Sequence, residues 1–134
     1  TKMIDFDIEK LSSSLKNNLT SAAFAYLFGS SLEGKVKAGS DLDVAVYFTA
    51  EMSADLVNQA VSIIEKAVPG VEIDLTILNN AGVVVCLEAL QGKLLFVRNE
   101  FIENYVSFYS SVCMNYEETA WWRNRQLEYR GYGF

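Results

Sequence analysis

Residues 71–78, VEIDLTIL, alternate without a break. Val71, Ile73, Leu75 and Ile77 fall on one face, and Glu72, Asp74 and Thr76 on the other. That period belongs to a strand packed on one side only. Such a strand needs further strands beside it and a layer to cover its apolar face, so the rest of the chain is read for those partners.

Ala22–Phe28 is a short apolar, partly aromatic run that stops at Gly29, and it reads as a buried strand. Leu42–Phe48 reads as a second strand, and Lys93–Val97 as a short fourth. Helical spacing sets in between them. Ile8, Leu11, Leu15 and Leu19 mark an amphipathic helix over 7–19. Leu56, Ala60, Val61, Ile64 and Ala67 mark another over 53–68, with Ser53 as its cap and Asp55 in its first turn. Pro69-Gly70 turns the chain into the alternating strand. Asn79 or Asn80 is expected to cap a helix over 81–91, with Gly92 in its C′ position. Residues 30–37 are expected to be a short helix or a loop. Residues 99 to about 128 read as a long helix carrying Ile102, Tyr105, Val106, Tyr109, Val112, Cys113 and Tyr116. The expected fold class is α/β (α+β): one small mixed sheet flanked by helices, with a C-terminal helical extension. One domain is expected over 1–134, its core at about 5–98 and the helical segment at about 99–134.

With 134 residues, 51% of them hydrophobic and 21% charged, the chain has a globular balance and can fold without disulfides or a structural metal. The apolar runs are too short to span a bilayer. A net charge of −6 argues against general DNA or RNA binding, so no direct nucleic-acid contact is expected. Cys86 and Cys113 lie in apolar surroundings without C-x-x-C spacing. They are expected to be reduced core residues, which together with the absence of a visible leader points to a cytoplasmic protein. The chain has no histidine. That removes His triads, His metal sites and His acid–base schemes, and leaves carboxylates, hydroxyls, Lys, Arg and bound metal to carry any chemistry.

Two aspartates open the second strand, where Asp is ordinarily depleted. Asp41 and Asp43 share a face, with Cβ atoms roughly 6.5 Å apart, close enough to lean onto one or two cations. If the strand bearing Asp74 pairs alongside, a third carboxylate joins them about 4.8 Å away. Three such carboxylates repel, and a hard divalent cation such as Mg²⁺ relieves the repulsion. Two ions would clamp the attacking and leaving oxygens of a phosphoryl transfer. Ahead of them, Gly29-Ser30 follows a buried strand. A glycine there lets backbone N–H groups approach a phosphate, and a helix starting at Ser30 or Ser31 would add partial positive charge. Lys35 and Lys37 follow on the connecting segment. The alternative reading is a turn and three solvated carboxylates on an exposed sheet face. Glu72 and Thr76 flank Asp74 and are expected to be solvated rather than to line the site.

Gly29-Ser30, ten intervening residues, then Asp41-Leu42-Asp43 resembles the signature of the DNA polymerase β-type nucleotidyltransferases, with Asp74 matching their third carboxylate. The small size resembles the MNT (minimal nucleotidyltransferase) branch, as does 87–98, LEALQGKLLFVR. The resemblance implies ATP bound with its phosphates at Gly29 and Ser30, with Ser31 and Ser40 as further nucleotide contacts. It also implies two Mg²⁺ ions on Asp41, Asp43 and Asp74. An acceptor hydroxyl would attack the α-phosphate and expel pyrophosphate, with Asp74 nearest the acceptor. In many MNT proteins the acceptor is a tyrosine of a HEPN-family RNase toxin, and the MNT protein is its antitoxin. Many family members carry Arg soon after Gly-Ser; here Ser31-Leu32-Glu33-Gly34 stands instead, with Ser31 or Lys35 as substitutes. Two rivals stay open: transfer to a small molecule such as an aminoglycoside, and an antitoxin that acts by binding alone.

The last twenty residues hold two Trp, three Tyr, one Phe and three Arg. That mixture suits a partner-binding surface. It equally suits Trp121 and Trp122 covering the domain's own core.

Overall fold

The computed structural model describes residues 3–29 and 33–129, with no side chain beyond 117. The elements run β1 (Met3–Asp5), α1 (Ile8–Asn18), β2 (Ala22–Phe28), β3 (Lys35–Lys37), β4 (Asp41–Phe48), α2 (Ala54–Ala67), β5 (Glu72–Ile77), α3 (Val83–Leu90), β6 (Lys93–Val97), a 3-10 turn (Asn99–Phe101) and α4 (Ile102–Tyr129). The main sheet is mixed, in the order β5-β4-β2-β6. β2 runs antiparallel to β4 and β6, while β4 and β5 are parallel, joined by α2.

α1 and α2 start where the sequence offers a side-chain acceptor. The Asp7 carboxylate accepts from the Glu9 and Lys10 N–H groups ahead of α1, and Ser53 Oγ accepts from Leu56 N–H ahead of α2. Arg98 closes the other end of α1. Its guanidinium donates to the carbonyls of Lys16 and Leu19, at 2.8 Å for Leu19, and to Ala22 O at 2.6 Å. One fixed fork thereby supplies donors that the last turn of a helix otherwise lacks.

The sheet carries a core on each face. Leu11 and Leu15 of α1, with Ala60 and Ile64 of α2, pack on Leu27, Leu42, Val44 and Val46. On the other face, Cys86 and Ala89 of α3 and Val112 of α4 pack on Phe24, Tyr26, Phe28 and Ala45. Phe24 stacks on Tyr47 with ring centroids 5.0 Å apart, and Tyr105 and Phe108 of α4 close on it edge-on and tilted. The Tyr26 and Tyr105 hydroxyls share a hydrogen bond of 2.8 Å. Burial, then that bond, pushes the Tyr26 phenol up from its ordinary value. No helix among the described residues is long and apolar enough to cross a membrane.

Two local expectations are corrected, and the reason for a third residue changes. Residues 35–37 form β3, paired antiparallel with β1 in a separate two-stranded sheet, rather than a helix or loop. Asn79 does not cap α3, which starts after Gly82 with no side-chain cap. Asn79 instead grips the end of β4, accepting from Phe48 N–H at 2.9 Å and donating to Phe48 O at 2.8 Å. Gly92 does stand in the C′ position, after the Gln91 C-cap, but without the left-handed φ that usually favours glycine there. It is needed for close approach, because a Cβ there would meet Leu27 O at 2.3 Å and Phe28 Cβ at 2.8 Å. Cys86 and Cys113 are both free thiols, Cys86 buried and Cys113 half-buried.

Candidate active site

The parallel register of β4 and β5 sets Asp43 beside Asp74 and Asp41 beside Glu72. Side-chain alternation turns Asp43 and Asp74 to the α3 side of the sheet, at the end of β4 where β2 also finishes, Phe28 pairing with Asp43. The two carboxylates line a cavity of about 580 Å³ together with Phe28, Gly29 and Thr76, and α3 and the turn that follows it add Val85, Glu88, Gln91 and Gly92. This volume lies in the ordinary range of small-molecule sites.

Asp43 is the electrostatic centre. Its carboxyl is pushed up to about 6, first by desolvation, then by its hydrogen bond to Asp74, then by the charges of Asp74, Asp41 and Glu88. A carboxyl raised by the charges around it marks a place where a cation is favoured. The donor set is all oxygen, which suits a hard divalent ion. Asp43 and Asp74 therefore fit the implied metal, with Asp41 next on the same strand face. Among the described residues, no three His, Cys, Asp or Glu side chains converge as a ready-made cage. The remaining ligands of any ion would come from substrate oxygens or water.

Gly29 has φ +79, in the left-handed region, and a Cβ there would stand 2.3 Å from Asp43 Oδ2. The glycine thus turns the chain out of β2 and gives its side-chain space to the Asp43 carboxylate.

The sequence-predicted residues divide three ways. Gly29, Asp43 and Asp74 meet in the cavity. Asp41 is exposed and Ser40 half-buried in the turn before β4, its N–H donating to Lys37 O at 2.9 Å; neither lines the cavity. Ser30 and Ser31 lie outside the described residues, as do the side chains of Trp121 and Trp122. Lys35 and Lys37 are exposed on β3, away from the cavity lining. Thr76, expected to be solvated, is half-buried and lines the cavity, while Glu72 is exposed and does not. The α3 wall went unread. Its signal is the spacing of Val85, Glu88 and Gln91 at intervals of three, which sets them on one helical face.

Residues 9–101 match the family model described as "Polymerase beta, Nucleotidyltransferase". Curated proteins gave no match. Among solved structures, a mutant of the MntA–HpeT toxin–antitoxin complex aligns with TM-score 0.70 and 22% identity over 91% of this chain and 96% of that one. A toxin–antitoxin structure with AMP-PNP aligns with TM-score 0.68 and 24% identity, over 91% and 96%. The complex of tri-AMPylated Shewanella oneidensis HEPN toxin with MNT antitoxin gives 0.63 and 23%, over 90% and 92%. At these identities the likeness is one of fold. The family match extends from α1 through β6 and takes in every described residue of the cavity, and by it the chain belongs to the polymerase β nucleotidyltransferase family.

Proposed function

We propose that this chain is an antitoxin that transfers AMP from ATP to a hydroxyl, a tyrosine's, of a cognate HEPN RNase toxin and so neutralises it. The observation that carries the reading is the Asp43–Asp74 pair held in register beside Gly29 in a chain of this family. The solved toxin–antitoxin structures, one with AMP-PNP and one with a tri-AMPylated HEPN toxin, support the nucleotide and the partner.

In this reading Gly29, Ser30 and Ser31 receive the ATP phosphates, with Ser40 at the edge of the site. Asp41, Asp43 and Asp74 would hold two Mg²⁺ ions, which supply charge neutralisation for the phosphates when bound. The acceptor oxygen forms a bond to the α-phosphorus, the bond to the β-phosphate oxygen breaks, and pyrophosphate leaves. The hydroxyl proton passes to a carboxylate, Asp74 being nearest the acceptor. Val85, Glu88 and Gln91 line the α3 side of the site. The chain works as one domain, core at about 5–98 with a helical extension, in the cytoplasm with both thiols reduced.

The test incubates the chain with α-labelled ATP, Mg²⁺ and the HEPN protein encoded beside it. Label on that protein, absent with Asp41→Asn/Asp43→Asn, is the expected result. Stable binding without label by both forms would replace the reading with an antitoxin that acts by binding, and label on an aminoglycoside instead would replace it with small-molecule transfer.

A further inference from the structure

Helix α4 carries two apolar stripes side by side. Tyr105, Phe108 and Val112, continuing from Phe101 of the preceding 3-10 turn, turn inward onto the sheet. A second stripe turns outward. Ile102, Val106, Tyr109 and Tyr116 are 48%, 55%, 45% and 49% exposed, with half-buried Cys113 among them. Their spacing is four, three, four, three, the seam of a coiled coil with Val106 and Cys113 at a positions and the others at d. The seam runs about 21 Å along the helix. Glu103, Ser110 and Glu117 occupy the e positions, so the open edge of the stripe is acidic. The g positions, Tyr105 and Val112, are spent on the chain's own core.

That asymmetry selects the occupant. A second copy laid antiparallel would set its acidic e row against this one, and the chain already carries −6. A helix with Lys or Arg along the facing edge meets opposite charge instead. We propose that the Ile102–Tyr116 seam docks a helix of the toxin partner bearing apolar residues at heptad spacing and a basic edge toward Glu103 and Glu117. The proposal rests on the HEPN reading above and adds the place of contact to it.

Calorimetric titration of the adjacent HEPN protein tests it, with the Asp43→Asn form of this chain used throughout so that transfer does not interfere. In that background Val106→Asp should weaken binding about 100-fold or more, since truncating or charging a central interface anchor has that size of effect. Glu103→Lys/Glu117→Lys should weaken it about tenfold, less so at high salt. Val84→Asp, on the exposed outer side of α3 (56% exposed), should bind as the Asp43→Asn form does. Thermal melts confirm folding of each variant, because Val106 is mostly outside the core. Undiminished binding by Val106→Asp overturns the seam while leaving the HEPN reading intact. No binding even without the seam substitutions overturns both. A dimer in sedimentation that Val106→Asp dissolves would give the seam to a second copy and overturn the proposal.

Discussion

The two faces of the main sheet are built from the same strands and differ in what they tolerate. Toward α1 and α2, β4 presents Leu42, Val44 and Val46, all fully buried among Leu11, Leu15 and Ile64. Toward α3 and α4 the same strand presents Asp43, Ala45 and Tyr47. There aromatic rings pack on one another at the Phe24–Tyr47 end, and a cavity lined by carboxylates opens at the Asp43 end. One face therefore spends its side chains on burial, and the other holds charge against desolvation at one end of a core. Alternation makes this possible: a residue step of one changes face, so Asp43 can be set between buried Leu42 and Val44 without entering their core.

Breaking the second face alone should cost activity and little stability. Asp43→Asn keeps the shape and removes the charge, and transfer should fall on the order of 10³-fold, measured as initial rate with the labelled partner. Its melting temperature should match or exceed that of the parent, because a repelling charge is gone. Breaking the first face should do the reverse. Leu42→Ala leaves a hole under a fully buried side chain, and denaturant unfolding should show a loss of about 3–4 kcal/mol. The rate per folded molecule should change less than tenfold, since Leu42 does not line the cavity. Equal loss of both quantities in either variant would mean that the two faces are not separable.

How far the sequence discloses this division depends on the length of the pattern. Ala22–Phe28 and Lys93–Val97 are legible to the residue, because a run of apolar residues bounded by Gly or polar residues has few other uses. The alternating strand over 71–78 is legible as half-buried and forms the sheet edge. β1 and β3 are three residues each, too short for alternation to stand out from the sequence around them, and exist because they pair with each other across the chain. In the site, the faces of Asp41, Asp43 and Asp74 follow from alternation, but which two meet follows from register, which sequence does not state. Asp43 meets Asp74, and Asp41 is left beside Glu72. Gly29 reads as a phosphate turn; that it also vacates space for Asp43 is a contact between distant residues that no local pattern carries.

Gly29→Ala sharpens the comparison at the boundary between the faces. A side chain at φ +79 costs about 1–2 kcal/mol. The new methyl also meets the Asp43 carboxylate, the movable end of a side chain, so the contact displaces Asp43 rather than the backbone. Activity should therefore fall about 10–100-fold while unfolding shows only the backbone cost. Asp43→Ala placed in the same background should cost no further stability. A stability loss in the single variant well above 2 kcal/mol, not relieved in the double, would show that the glycine is held by something other than Asp43.

The smallest effect lies in the pH dependence of the metal-free protein. Asp43 is pushed up to about 6 from 3.8 in the fold, with Asp74, Asp41 and Glu88 as the charges that face it. Between those values the folded chain binds this proton more tightly than the unfolded chain, so stability is greatest below about 4 and is lost as pH rises through about 6, levelling above. Asp43 is only half-buried, so solvent screening reduces the effect. In a chelating buffer, the melting temperature of Asp43→Asn should gain on that of the parent between pH 4 and pH 6 and hold a constant lead above pH 7. Mg²⁺ should narrow that lead, because a cation on the parent's carboxylates replaces the missing proton, and Mg²⁺ binding to the parent should weaken as pH falls below about 6. A lead that is flat from pH 4 to 8 would mean that Asp43 is ionised throughout, its carboxyl not raised by the charges that face it.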